Sequence, residues 1–162
     1  ALIKKVFRQE SRYRQFYSDG APLVSFDNGY GIGQITLPEP TITQAWSWKE
    51  HIKVVMNVFL PDKRYRAKKY LSQSGQTPNS YTQEQYDIET MAFYNGAGRF
   101  HKWDTSTKKW IENDEAICDP SSNRSWDKAK NPNMSLKELL KSNVKPKYTG
   151  HCYAKHIKAT QN

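Results

Sequence analysis

Glu10 is the side chain in this sequence best placed to move a proton. Ile3, Val6, Phe7 and Glu10 stand at i, i+3, i+4 and i+7, the spacing that lines one face of a helix, and Leu2 widens the stripe. The spacing therefore predicts that Glu10 faces inward. A carboxylate drawn out of water loses solvation in its charged form, so its pKa rises. A carboxyl that keeps its proton near neutral pH is what a general acid requires. A plainer role also fits, an ion pair with Arg14 four residues on, and helical spacing taken alone favours that one.

Asn28 to Ile35 is the second segment with chemical potential. Glycines at 29, 31 and 33 let backbone approach a ligand closely, and Tyr30 and Gln34 offer donors suited to sugar hydroxyls or N-acetyl groups. The alternate spacing does not fit the G-x-G-x-x-G of a dinucleotide-binding turn. By itself the segment reads as an irregular glycine loop. The third segment runs from Ala92 to Gly98 at a helix end, where Tyr94 and Asn95 either pin the helix cap or project into a cleft facing Glu10. His51, His101, His151 and His156 show no metal-ligand spacing, and no serine or cysteine nucleophile context or cofactor motif is visible.

These residues need elements to carry them. The first helix bears Glu10, and Ser18 to Thr36, rich in glycine, reads as a loop or short irregular strands. Trp48, Ile52, Val55, Met56 and Phe59 predict a helix that ends or kinks at Pro61, with Tyr65 to Leu71 as its continuation. Ser72 to Ser80, with Gly75 and Pro78, is a predicted loop. Thr82 to Gln85 has the form of a capping box and opens a helix carrying Tyr86, Met91 and Phe93 to Asn95-Gly96. Two aromatic runs around Asp104 to Thr107 predict a hairpin within Arg99 to Ile111. Cys118 to Met134 is a predicted loop, Ser135 to Glu138 a second capping box before Leu139 and Leu140, and His151 to Ala159 a last helix.

Composition narrows the class. A chain of 162 residues with 36% hydrophobic side chains, five Trp and ten Tyr builds one core, so a single domain, 1–162, is expected. The opening residues are too short and too quickly polar for a signal peptide, and the chain reads as part of a longer protein already in mid-helix. The run Val54 to Leu60 is far shorter than the roughly 20 apolar residues a membrane span needs, so no membrane insertion is expected. A net charge of +9 attracts polyanions, whether nucleic acid, an anionic membrane or a bacterial wall, but the basic residues are scattered and no nucleic-acid motif accompanies them. Cys118 and Cys152 allow either one disulfide or two buried thiols.

Glu10-Ser11, Gly31-Ile32-Gly33-Gln34-Ile35 and Phe93-Tyr94-Asn95-Gly96, in this order and at this separation, resemble the lytic transglycosylase and goose-type lysozyme superfamily. The match covers roughly residues 1–103, and Tyr153 to Ile157 echoes the family's final helix. The sequence departs from the family at Gly33, where a bulky Met is common, and in its long, Trp-rich tail after Gly98. Ser18 to Asp27 is similar to an insert in muramidase domains of secreted antibacterial effectors.

The resemblance implies a mainly α (α+β), lysozyme-like fold with a small β element and a glycan cleft. It implies cleavage of the β-1,4 bond between N-acetylmuramic acid and N-acetylglucosamine, with Glu10 as catalytic acid and Ser11, Tyr30, Gly31, Gln34, Ile35, Tyr94 and Asn95 at the substrate. No cofactor or metal is expected. The partners are peptidoglycan glycan strands and, for an effector, an immunity protein; the setting is secreted or periplasmic and the state monomeric. Hydrolysis calls for a second carboxylate, and Asp27 or Asp19 is the candidate. Transfer to the muramyl 6-hydroxyl, as in a lytic transglycosylase, needs only Glu10. A different class is a non-catalytic cell-wall module using Trp46, Trp48, Trp103, Trp110 and Trp126 as sugar platforms.

Overall fold

Side-chain oxygens decide where four of the helices begin. Thr41, Ser47, Thr82 and Ser135 each accept a hydrogen bond from the backbone N–H three residues on, satisfying a donor that a helix start leaves unpaired. At Thr41, Thr82 and Ser135 the reciprocal bond from Gln44, Gln85 or Glu138 completes a capping box. Thr82 and Ser135 are the two boxes expected from sequence.

The computed structural model describes residues 2–73, 80–96 and 99–160. The structure is α+β and divides into two compact units, Ala1–Asp62 and Lys63–Asn162. Most of the predicted loop at Ser72 to Ser80 lies outside the described residues, as do Ala97 and Gly98. No helix among the described residues is long and apolar enough to cross a membrane.

The first unit holds α1 (Leu2–Ser11), α2 (Ile42–Trp46), α3 (Trp48–Val54), a π-helical turn (Val55–Phe59) and the start of α4 (Leu60–Leu71). Val6, Phe7, Ile32, Ile35, Ala45, Val55 and Phe59 are buried. The helix expected to end or kink at Pro61 changes pitch before the proline, and the chain continues through residue 71 as expected. Pro61 is the second residue of α4, and the preceding turn is widened so that the Leu60 N–H bonds to the Val55 carbonyl. Widening the turn at the start of the new helix removes the need for the proline's missing donor. Between α1 and α2 the chain forms isolated bridges, Phe16 with Pro22, Val24 with Tyr30 and Tyr30 with Ile35, in agreement with the reading of short irregular strands.

In the second unit α5 (Gln83–Tyr94) packs on α7 (Gly150–Thr160). The predicted hairpin is present as β1 (His101–Asp104) and β2 (Lys109–Glu112), antiparallel, with Trp103 opposite Trp110. Its turn is fixed by Asp104, which accepts bonds from the Ser106 N–H (2.9 Å), the Ser106 hydroxyl (2.6 Å) and the Thr107 hydroxyl (2.6 Å). These bonds, that from the Ser106 hydroxyl foremost, hold the Asp104 carboxyl down at about 2.

The predicted loop Cys118 to Met134 is a correction. It contributes strand residues to an antiparallel sheet of order β3-β4-β5, formed by β3 (Ala116–Cys118), β4 (Arg124–Asp127) and β5 (Lys147–Tyr148). Strands this short and polar carry no alternation to read, and their connection is held by one buried carboxylate. Asp119 accepts from the Ser121 N–H (2.9 Å) and hydroxyl (2.7 Å), the Ser122 hydroxyl (2.9 Å) and the Arg124 guanidinium (2.5 and 3.0 Å). Cys118 and Cys152 are disulfide-bonded, fastening β3 to α7. The short α6 (Leu136–Lys141) buries Leu139.

Burial alone would raise the Asp119 carboxyl, but its hydrogen bonds outweigh that effect and hold it well below the usual carboxylate range. A depressed native pKa contributes stability that is present in full above the unfolded value near 4 and is lost as pH falls toward the native one. Asp119→Asn is expected to lower unfolding free energy by about 2–3 kcal/mol at pH 6. Urea titrations across pH should show the gap between wild type and variant narrowing below about pH 4.

Candidate functional site

Ser11 closes α1 and fixes what lies next to Glu10. Its hydroxyl is buried, bonded to the Phe7 carbonyl (3.2 Å) and across to the Ile32 carbonyl (3.0 Å), so the last turn of α1 is tied to the glycine segment. Glu10 is half-buried there, whereas Val6, Phe7 and Ser11 are enclosed. The stripe predicts an inward Glu10, and the structure encloses it only in part.

The glycine segment is a tight reversal. Tyr30 and Ile35 exchange both main-chain bonds (3.0 and 3.1 Å), and the Gly31 carbonyl accepts from the Gln34 N–H (3.2 Å) and the Gln34 side-chain amide (2.8 Å). Gly31 has φ +63°, and a Cβ there would lie 2.5 Å from the Gln15 carboxamide. That carboxamide is buried, donating to the Ala45 carbonyl (2.8 Å) and accepting from the Ile32 N–H (3.0 Å). The neighbouring Gly33 N–H bonds to Nε2 of the fully buried His51 (3.1 Å). Burial pushes the His51 pKa down, keeping the ring neutral and able to accept that bond.

Several sequence assignments change in this light. Ser11, Gly31 and Ile35 are buried and shape the segment from within, instead of presenting side chains to a ligand. Gln34 donates to its own loop, and the Tyr30 hydroxyl reaches Glu39 at 3.5 Å. A buried loop outside regular structure has to satisfy its own polar groups first, which is why donors that look available in sequence are engaged. Asp19 accepts from the Ala21 N–H (3.0 Å) beside Gly20 in a turn. Asp27 accepts from the Ser25 hydroxyl, whose oxygen in turn receives the Gly29 N–H (2.9 Å). Both aspartates are exposed.

Tyr94 and Asn95 belong to the second unit. Tyr94 is buried in α5, and Asn95 caps that helix while its Oδ1 accepts from Asn123 (3.2 Å). Asn95 also lines a cleft of ≈ 880 Å³ whose walls include Trp126, Tyr148 and His151. Of the tryptophans offered as sugar platforms, Trp110 and Trp126 are buried and Trp46 and Trp48 are exposed.

Sequence reasoning missed Gln15, His51 and Glu89. Glu89 has no exposed surface; it accepts from the N–H groups of Arg99, Phe100 (3.1 Å) and His101 (3.0 Å), and meets the His101 Nδ1 at 3.0 Å. Its signal was a carboxylate between Ile88 and Met91-Ala92, the same kind that marked Glu10. Cys118, His151 and Cys152 gather within 4.8 Å, but the two sulfurs are joined to each other and supply no thiolate for a metal.

The clash at Gly31 is testable against an open glycine. Gly31→Ala must accept a left-handed backbone and displace the Gln15 carboxamide, an expected loss of about 2–4 kcal/mol. Gly20 has φ +84° and open space around it, so Gly20→Ala should lose only about 1 kcal/mol. Urea unfolding of both variants measures the difference, and equal losses would remove Gln15 from its role as the loop's support.

Comparison with family models, with curated proteins and with solved structures gave no match to this chain.

Proposed function

We propose that this protein is a peptidoglycan muramidase of lysozyme-like fold, cleaving the β-1,4 bond between N-acetylmuramic acid and N-acetylglucosamine with Glu10 as general acid. The bond from Ser11 to the Ile32 carbonyl (3.0 Å) is the observation that supports the reading, because it joins the end of α1, where Glu10 immediately precedes Ser11, to the Gly31 to Ile35 segment. Those are two of the three segments on which the family resemblance rests. The disulfide suits an oxidising, extracytoplasmic setting, and the charge of +9 suits an anionic wall.

In this mechanism the Glu10 carboxyl protonates the glycosidic oxygen as the bond from that oxygen to the muramyl C1 breaks. Water then attacks C1 and gives its proton to an aspartate on the far face of the sugar, Asp27 in preference to Asp19; carboxylates that work as an inverting pair stand about 6.5–9.5 Å apart. Asp27 lies two residues before Gly29, where the chain bends into the glycine segment. A second reading draws support from the loop bonds of both aspartates. In a lytic transglycosylase the muramyl 6-hydroxyl attacks C1, its proton returns to the Glu10 carboxylate, and the product carries a 1,6-anhydro ring.

Glu10→Gln is expected to leave the circular dichroism spectrum unchanged and to reduce lysis of purified walls by about 10²–10⁴-fold, since the amide has no proton to give. Substantial residual lysis would remove Glu10 from the mechanism. Mass spectrometry of the digest separates the two readings. Reducing ends together with a sharp rate loss in Asp27→Asn support hydrolysis, while anhydro ends with near-normal rates in both Asp27→Asn and Asp19→Asn support transglycosylation.

A further inference from the structure

His151 is buried in the wall of the second unit's cleft, and apart from an electrostatic interaction with the Arg99 backbone neither of its ring nitrogens has a hydrogen-bond partner among the described residues. Leaving a buried polar group unsatisfied is costly, and such a group beside a cleft is a reason to look for a ligand that completes it. The ring is held rigidly, stacked on Phe100 with centroids 5.0 Å apart. Burial, and after it the positive charge of Lys155, push its pKa down, so it stands as a neutral imidazole with one donor and one acceptor nitrogen. Sugar hydroxyls, which both donate and accept, match that pair; a phosphate or carboxylate does not.

The rest of the wall agrees with a neutral, amphipathic occupant. Tyr148 is 66% exposed and offers its ring as a platform. Trp126 packs behind as an apolar wall, its indole N–H engaged by the Val144 carbonyl at 2.9 Å. Asn95 has its Oδ1 occupied by Asn123, which leaves its amide N–H groups to donate. Three cationic side chains, Arg99, Lys128 and Lys147, are balanced by three carboxylates, Asp114, Glu115 and Asp127. The cleft therefore does not share the chain's overall +9 and is a poor polyanion site. Its volume of ≈ 880 Å³ is near the upper end of small-molecule pockets, room for an oligosaccharide and not only one ring.

We propose that this cleft is a saccharide-binding site for a short, uncharged, N-acetylated oligosaccharide, which stacks on Tyr148 and completes the hydrogen bonding of His151 and Asn95. The site is built entirely by residues of the second unit, from Asn95 to His151.

Tri-N-acetylchitotriose titrated into the whole chain carrying Glu10→Gln, by calorimetry and by histidine side-chain ¹H–¹⁵N correlation, tests it. Saturable binding that shifts the His151 resonances is expected. Tyr148→Ala, at an exposed position, should weaken that binding about tenfold without changing the melting temperature. No saturable binding, binding unaffected by Tyr148→Ala, or binding that leaves His151 unmoved would each overturn the proposal. Competition by inorganic pyrophosphate at the same site would overturn it in favour of an anion site. The titration reads the cleft whether or not Glu10→Gln abolishes wall lysis, so failure of the muramidase reading and failure of this one remain distinct.

Discussion

A buried main-chain amide or carbonyl outside any helix or strand has to find a side-chain partner, and much of this structure follows from that constraint. Ser11, Gln15 and His51 supply the partners for the glycine segment in the first unit. Glu89 does so for the entry to β1, and Asp119 for the connection into β4, in the second. In each case a short polar or charged side chain is sacrificed to the interior, and its removal leaves several groups unpaired at once. Such sites are more sensitive to a single substitution than an apolar contact of equal size.

The same constraint limits which residues remain for chemistry. Glu10 is half-buried at the end of a helix that encloses Val6, Phe7 and Ser11, and it stands one residue from the Ser11 clamp on the glycine segment. Asp19 and Asp27, by contrast, stabilise their own turns. A carboxylate that shapes a loop can still accept a proton, since each oxygen has more than one lone pair. In the proposed reaction the choice between water and an internal hydroxyl as nucleophile would therefore depend on where a bound sugar places its C1, not on the identity of the aspartates.

Charge and covalent linkage act on different scales. The excess of 25 basic over 16 acidic residues gives a long-range field. The cleft of the second unit is locally balanced, with three cationic and three anionic side chains in its walls, so the excess of positive charge lies elsewhere on the chain. The Cys118–Cys152 bond closes a 34-residue separation, and the chain-entropy account assigns such a loop about 4 kcal/mol of stabilisation through the unfolded state. That contribution matters in a unit whose sheet has strands of only two to four residues.

Sequence by itself determined the features that depend on neighbours within a few residues. The capping boxes at Thr82 and Ser135, the hairpin around Asp104 and the final helix were readable because their stabilising bonds span three or four positions, or an alternation that one turn closes. The helical face of Glu10 was readable for the same reason. How deeply it is buried was not, because burial at a helix end depends on what the rest of the chain packs against it. Tertiary structure alone decided that Gln34 bonds its own loop, that Pro61 begins a helix, and that Cys118 meets Cys152. It alone enclosed Glu89 and set His151 at a cleft with no hydrogen-bond partner for its ring nitrogens among the described residues beyond an interaction with the Arg99 backbone. The partner of Gln34 is only three residues away, in a reversal that Gln15 and His51 support from elsewhere in the chain. The other outcomes are fixed by partners ten or more residues away or by a change of helical pitch, and periodicity carries no record of either.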